Sequence, residues 1–558
     1  MFVYTFINYE NGYKYVMVTE RTILKSYSKK LEHLGIIAAL IEIMGIVALV
    51  NERLPKLRHH KLTHGDIFKA IIINGLGFTQ RRLYLFPEFF NNKAVKRLFG
   101  EGITAEDLNE DVVGRTLDAI KLYGPEKLFQ EIISQIYLYT KLGHHRVHVD
   151  TTNFSVHGAY DKSNDESTIS IVKGHPKDGR WELNRFGIGL IVNQIGVPLF
   201  MKMLSGNDAD KVTLPDMIKQ FRSQVDFSEP LTCVADSALY SGKNIEKIAD
   251  DVFFATLVPA TIGERQNLVR QQDLTLTQMQ DPRYSFYEVE SSYGGTPQKW
   301  VMFHSQTLHE KHEKTLKKNR ATEMQEVPKS LSHLKNRTFA CEIDAINEGN
   351  RTIKAYPHYE LKSIKIVTTQ KKQNGSRGRP KKDEVMKTVF SISATVKLKD
   401  AAWVDEQCAL GKFVLATNNL DMSAEELLST YKGQRVVENG FRFLNDKSFS
   451  ISDVFLKNKG RIEALGMLMI LMLAVYSLGE YQLRQRLAEL NVTVLNQVKK
   501  PTAKPTLKWV LTFFDGVAEF YEYDPKTDTV HFSGLLNMTD RCWTIVELFG
   551  PVCEKYYL

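Results

Sequence analysis

Cysteine is scarce and scattered in this chain. The five in 558 residues, Cys233, Cys341, Cys408, Cys542 and Cys553, are odd in number and form no C-x-x-C pair. That argues against a disulfide framework or a C-x-x-C zinc site and fits a reducing cytoplasm. The opening stretch "MFVYTFINYENGYKYV" lacks the basic-then-apolar build of a signal peptide, so nothing there marks the chain for export. No apolar run reaches the ~20 residues that span a bilayer. The longest, from Ala464 to Leu478, follows the charged "KNKGRIE" and reads as a buried helix. A large excess of one charge is missing too: 73 basic against 65 acidic residues gives +8, weak support for an anionic partner over this length. What remains is an ordinary globular composition, 43% hydrophobic and 25% charged, long enough for roughly three to four domains.

Residues 1–142 carry apolar residues at helical spacing. "LEHLGIIAALIEIMGIVALVNERL" predicts helix, and "LTHGDIFKAIIINGLGFTQRRLYLF" predicts a helix, a Gly-rich turn and a second helix. Thr79 is placed to cap that second helix, putting Gln80, Arg81 and Arg82 on its exposed first turn, the layout of a DNA-reading helix-turn-helix. A helical bundle with an arginine-bearing surface reads equally well from this stretch alone. From 143 to 262 the pattern becomes strand, strand, strand, helix, strand, helix, strand, with a hairpin expected around Gln194-Ile195-Gly196. That order suits an α/β fold with a mixed sheet covered by helices. Residues 263–410 alternate in "YSFYEVESSYG", "KWVMFHS", "RTFACEIDAI", "LKSIKIVTTQ" and "KTVFSISATVKL", which predicts a β-rich insertion. Strand and then helix return over 411–497. The segment 498–558 starts with the Pro-interrupted "KKPTAKPT" and ends apolar and aromatic, suited to packing or dimerisation.

Two acids occupy equivalent places in this pattern. Asp150 follows Val147 and Val149, and Asp236 follows Cys233, Val234 and Ala235, each at the expected end of a short apolar strand. Carboxylates converging on one sheet edge repel unless one is protonated or a cation stands between them. Mg²⁺, which prefers carboxylates, water and phosphate oxygens, is the natural occupant; strand-end acids facing solvent are the plain alternative. A third acid, Glu438, lies in "STYKGQRVVENGFRFLND" among Tyr431, Lys432, Arg435 and Arg442. Ser423 and Glu426 form an S-x-x-E capping pattern, so a single helix is expected over 424–444, with Tyr431 and Glu438 on one face. An i,i+4 pairing of Glu438 with Arg442 would contribute only ~0.2–0.5 kcal/mol and leaves the tyrosine unexplained. Three acids around two metal ions have a defined use: in-line attack on phosphorus by water or by a DNA 3′-hydroxyl.

The pieces "HVDTT" around Asp150, "VADSALYSGKNI" around Asp236 and "YKGQRVVENGFRFL" around Glu438, followed by "RIEALGMLMILML", resemble the DDE transposases of bacterial insertion sequences. The likeness is to the insertion-sequence-four-like group, which has a Tyr-Arg-Glu-Lys helix and a β-rich insertion before the catalytic glutamate. It covers nearly the whole chain. The resemblance implies a ribonuclease-H-like catalytic core interrupted by a β-rich insertion, and a helical N-terminal DNA-binding region. It implies Asp150, Asp236 and Glu438 as catalytic metal ligands for Mg²⁺, with Mn²⁺ as substitute. It implies cleavage at the terminal inverted repeats of double-stranded DNA, strand transfer into target DNA, a homodimer pairing both ends, no membrane, and a cytoplasmic, nucleoid-associated setting. The group's motif is Y-x-x-R-x-x-x-E-x-x-x-x-x-x-K. Here Gln434 stands at the arginine position with Arg435 beside it, and Asn445 at the lysine position with Lys447 two residues on. DNA contacts are therefore expected from Tyr431, Gln434, Arg435, Arg442 and Lys447.

Outside those motifs, "SRGRPKK" carries Arg377-Gly378-Arg379-Pro380, the core of an AT-hook whose arginines can enter a narrow minor groove; a solvated linker reads as well. His175, Lys177 and Arg180 are placed to approach DNA or the active site. The resemblance also implies an aromatic of the insertion that holds a flipped base, for which Trp300 and Trp403 are candidates, against the plainer reading of packed tryptophans. His148 and His157 flank Asp150 and are left out of the metal site. Two other functions stay open at this stage: a DNA-binding protein derived from a transposase that no longer cuts, and a metal-dependent nuclease without strand transfer.

Overall fold

A computed structural model describes the chain except residues 1–3, 10–11, 18–24, 57–60, 79–84, 141–142, 144, 158–159, 161–168, 177–178, 225–229, 374–384, 447–457, 525 and 527–528. Two compact units are defined by internal contacts: residues 1–239, 250–252 and 432–558 form the first, and 240–249 and 253–431 the second.

The part of the first unit that carries the acids is a run of four paired strands. β1 (Arg146–Val156), β2 (Asn184–Asn193) and β3 (Pro198–Ser205) form two successive antiparallel hairpins, the second turning at Gln194-Ile195-Gly196 as its sequence predicts. Gly196 sits at φ +85°, where a residue without a Cβ avoids strain. Helix α1 (Asp210–Gln224) then leads to β4 (Thr232–Ala235), which lies parallel to β1. β2 and β4 are buried along nearly their whole length, which is why their sequences run apolar without alternating.

Helix α2 (Arg435–Leu444) packs on this sheet, and helix α3 (Lys459–Glu489) forms the middle of the core. The apolar run expected as a buried helix is part of α3, which extends to 31 residues. By length and composition α3 could cross a membrane, but most of its apolar stretch is buried inside the fold.

Several expectations are corrected. Residues 1–142 are not helical throughout: strands Tyr4–Tyr9 and Gly12–Met17 pair with each other. Strand Lys25–Lys30 pairs with Ala518–Asp524 of the C-terminal segment. That segment therefore packs within its own chain, where Arg97 also pairs with the buried Glu519 at 2.9 Å. No local pattern announces a strand whose partner lies some 490 positions away. The expected helix over 424–444 is interrupted. It forms as Ala424–Lys432 and as α2, with Gly433 and Gln434 in a tight turn where Val436 N–H donates to the Gly433 carbonyl. The shared face inferred for Tyr431 and Glu438 assumed an unbroken helix and does not carry over.

The second unit holds its own antiparallel run of strands, in the order Phe253–Leu257, Lys412–Thr417, Gln298–Ser305, Tyr284–Ser291, Thr277–Gln278. A long hairpin pairs Tyr359–Lys372 with Met386–Leu398. "RTFACEIDAI", expected as strand, instead leads into helix Glu342–Lys354, with the Cys341 sulfur accepting from Asp344 N–H at its start. The hydrophilic stretch "LHEKHEKTLKKNR", residues 308–320, belongs to a 31-residue helix, Gln306–Asn336. Both candidate tryptophans pack against neighbours in this unit, Trp300 buried and Trp403 half-buried. Trp300 is 3% exposed, and its indole N–H donates to the Tyr240 hydroxyl at 2.7 Å. Trp403 lies between Arg320, 4.1 Å over its ring, and His358.

His358 joins three segments of this unit. Its Nδ1 meets Glu323 at 2.9 Å and its Nε2 meets Glu406 at 3.2 Å. Burial alone would depress the imidazole, but the two carboxylates outweigh it and raise its pKa. A raised folded-state pKa contributes stability that is fully present below the unfolded value of ~6.5 and is lost as pH rises through the folded value. The unit should therefore melt at a higher temperature at pH 6 than at pH 8.5, and His358→Gln should narrow that gap. Calorimetry on the full chain checks this, and an unaltered gap would refute it.

Candidate active site

The parallel register of β1 and β4 sets the first two acids. Val147 pairs with Cys233, His148 with Val234 and Val149 with Ala235, so Asp150 and Asp236 are the next residues on neighbouring strands. Asp236 follows the end of β4, as its sequence predicts. Asp150 does not end its strand: β1 continues to Val156, because from Thr151 onward it still has β2 as partner. Asp150 stands instead where β1 loses its parallel neighbour, which opens the sheet beside it.

Both carboxylates are fixed by local backbone. Asp150 Oδ1 accepts from Thr151 N–H at 2.7 Å. Asp236 Oδ1 accepts from Ala238 N–H at 2.9 Å, an Asx turn that directs the chain away from the sheet after β4. Asp236 is exposed and Asp150 half-buried. Side chains alternate along a strand, so His148 and Asp150 share one face of β1, while Thr151, whose hydroxyl donates to Asp210 at the start of α1, faces the other.

Helix α2 meets the His148 face. Gln434, immediately before α2 and 6% exposed, donates from Nε2 to the Val149 carbonyl at 3.1 Å, and its Oε1 lies 3.3 Å from His148 Nδ1. Burial pushes the His148 imidazole down to about 4, and the contact with Gln434 only partly opposes this. The ring is therefore neutral at ordinary pH. Because the Gln434 amide nitrogen is spent on Val149, its oxygen is the acceptor and His148 Nδ1 carries the hydrogen. Further along α2, Val437, Gly440, Phe441, Phe443 and Leu444 are buried. Gly440 lies against Leu473 of α3, leaving little room for a larger residue. Glu438 stands on the exposed side one turn after Gln434, with Arg435 and Arg442 also exposed.

Asp150, Asp236 and Glu438 thus all lie in the first unit, on β1, after β4 and on α2. Among the described residues, no three His, Cys, Asp or Glu side chains are gathered closely enough to hold a metal ion. Tyr431 falls in the second unit, half-buried in the last turn of Ala424–Lys432. Gln80, Arg81, Arg82, Lys177, Arg377, Arg379 and Lys447 lie outside the described residues. His175 is held near β1 by Asn153, whose amide donates to its carbonyl at 3.0 Å, and its ring meets Trp181 edge-on, with Trp181 62% exposed. Neither the His148–Gln434 bond nor the exposure of Trp181 was foreseen. A glutamine 286 positions from its histidine leaves no sequence signal, and exposure of a tryptophan on a loop has no periodicity to betray it.

Residues 142–475, more than half of the chain, match a family described as the transposase DDE domain, and 26–134 match a domain of unknown function (DUF4277). The chain belongs to the DDE transposase-domain family. No curated protein matches it. Its function is that of a transposase, an enzyme of mobile DNA acting on a nucleic-acid partner.

Proposed function

We propose that this transposase cuts the terminal inverted repeats of its element and joins them to target DNA, using Asp150, Asp236 and Glu438. The observation that carries the reading is the parallel register that makes Asp150 and Asp236 neighbours where β1 loses its partner. The strand succession, two antiparallel hairpins followed by a parallel strand, supports a ribonuclease-H-like core of the insertion-sequence-four-like kind. On this reading residues 143–262 and 411–497 supply the core, 263–410 the insertion, 1–142 the DNA-binding region, and 498–558 a closing segment.

The donor chemistry of the three acids, as distinct from their present spacing, fits a hard divalent cation. Three carboxylates supply only oxygen, and the nearest histidine, His148, is buried with its Nδ1–H engaged by Gln434. Oxygen donors of this kind suit Mg²⁺ or Mn²⁺ better than zinc. When bound, such ions supply a nucleophilic water or 3′-hydroxyl and stabilise the leaving oxygen. The chain's own residues do the rest. The turn at Ala238 and the Thr151 amide hold the two aspartates in place. The exposed Arg435 and Arg442 offer positive charge to the phosphates on either side of Glu438, and the loop of His175, Arg180 and exposed Trp181 offers a charged and aromatic surface to DNA. Two copies would pair the two ends.

The test is a gel assay with a labelled duplex covering the inverted repeat that flanks the gene, with Mg²⁺ or Mn²⁺. Joined products are expected. Binding without cutting, or nicking without joining, would instead favour a non-cutting DNA-binding protein or a simple nuclease.

A further inference from the structure

Gln434 stands where the related motif has an arginine, yet it is buried and both ends of its amide are used inside the chain. Its nitrogen holds the carbonyl of Val149, the residue before Asp150, and its oxygen takes the hydrogen of His148, the residue before that. It also precedes by one helical turn the glutamate on α2. The break at Gly433 leaves this first turn of α2 without continuous helix on its N-terminal side. A helix start so interrupted frays unless a side chain anchors it.

We propose that Gln434 is a positioning residue that pins the start of α2 to β1, by bridging His148 Nδ1–H and the Val149 carbonyl, and so fixes Glu438 relative to Asp150. Its role is not to touch DNA. The proposal rests on the catalytic reading of Asp150 and Glu438, but the bridge itself can be tested apart from any reaction. The geometry is specific: an asparagine is one methylene too short to reach both groups, and a leucine or methionine fills the space but bonds neither. Val149 and His148 are consecutive on one strand, so a single planar amide meets one main-chain and one side-chain group and resists both sliding and rotation of the helix. A single hydrogen bond would oppose sliding but leave rotation about it free.

Gln434→Met in the full-length chain retains apolar bulk while removing both bonds. Hydrogen exchange of amides 435–438 should accelerate about tenfold or more through local opening. Affinity for the flanking-repeat duplex should stay within about twofold with an unchanged salt dependence, while end cleavage falls by roughly 10- to 100-fold, the range for groups that orient metal ligands. His148→Phe, which leaves α2 untouched, should give the same pattern in milder form, and the double variant should be little worse than Gln434→Met, because both act through one bridge. Unchanged exchange over 435–438 in both single variants would overturn the proposal. So would weakened duplex binding with a log–log salt slope shallower by about one, the mark of a lost phosphate contact. If the wild-type protein cuts nothing, the proposed function fails, and faster exchange in the variants still upholds the bridge.

Discussion

Asp150→Asn is expected to abolish end cleavage while leaving end binding intact. Asparagine has the size and shape of aspartate, and its side-chain oxygen can still accept from Thr151 N–H as Asp150 does at 2.7 Å. The strand pairing of β1 with β2 and β4 is main-chain and does not involve the side chain. The fold should therefore be unchanged. What disappears is one of the two negative charges set side by side by the Val149–Ala235 register, and with it the ability of the pair to hold a divalent cation against mutual repulsion. A loss of roughly a thousandfold or more in cleavage rate is expected, equivalent to ~4 kcal/mol of transition-state stabilisation. Duplex affinity should hold or rise slightly, since a negative charge facing phosphates has gone. Single-turnover cleavage and gel-shift titration on the same preparation check both halves. A variant that still cuts at the wild-type rate would remove Asp150 from the chemistry.

The same residues show which parts of this molecule can be read from sequence. Asp150 and Asp236 are legible because each follows a short run of residues that can only be a buried strand, and neighbouring parallel strands place equivalent positions together. The hairpin at Gly196 is legible for the same local reason. The interruption before Glu438 is not: Gly433 alone is tolerated in many helices, and what fixes the turn is a long-range bond from Gln434 to β1. The pairing of Lys25–Lys30 with Ala518–Asp524 is invisible because neither strand alternates strongly, and their partnership is settled by tertiary packing. "RTFACEIDAI" misleads because its alternation is short, and the helix that follows Cys341 draws its apolar face from Ala345, Gly349 and Ile353, spaced for a helix further along. Local pattern therefore placed the two aspartates on neighbouring strands, and distant partners decided their exact setting.

Gly206→Ala is expected to destabilise the first unit by about 3 kcal/mol, the upper part of the range for overpacking a tight site. Gly206 follows β3 directly, where three backbone segments close on one another. Its N–H donates to the Ser170 carbonyl at 2.9 Å, and Val172 and Arg185 exchange both main-chain hydrogen bonds beside it. A Cβ on Gly206 would overlap the carbonyl oxygens of Arg185 and Val172, and one on Gly174 would overlap the carbonyl of Gly206. Those obstacles are backbone, so no rotamer change relieves them; the added methyl must break the Val172–Arg185 bridge or push β2 from β3. Neither glycine has a positive φ, so the cost is contact and not conformation. Gly263→Ala, with nothing within 4 Å of the added methyl, is the matched control and should be near neutral. For a unit of about 370 residues the Gly206 loss corresponds to a fall of roughly 4 °C in Tm. Because the same crossing carries the chain toward His175, whose carbonyl is tied to Asn153 three residues beyond Asp150, cleavage by Gly206→Ala should fall even well below its melting temperature. A variant that melts with the wild type would mean that the segments at 170–174 and 206 separate without cost, and that the loop over β1 is held by something other than this close approach.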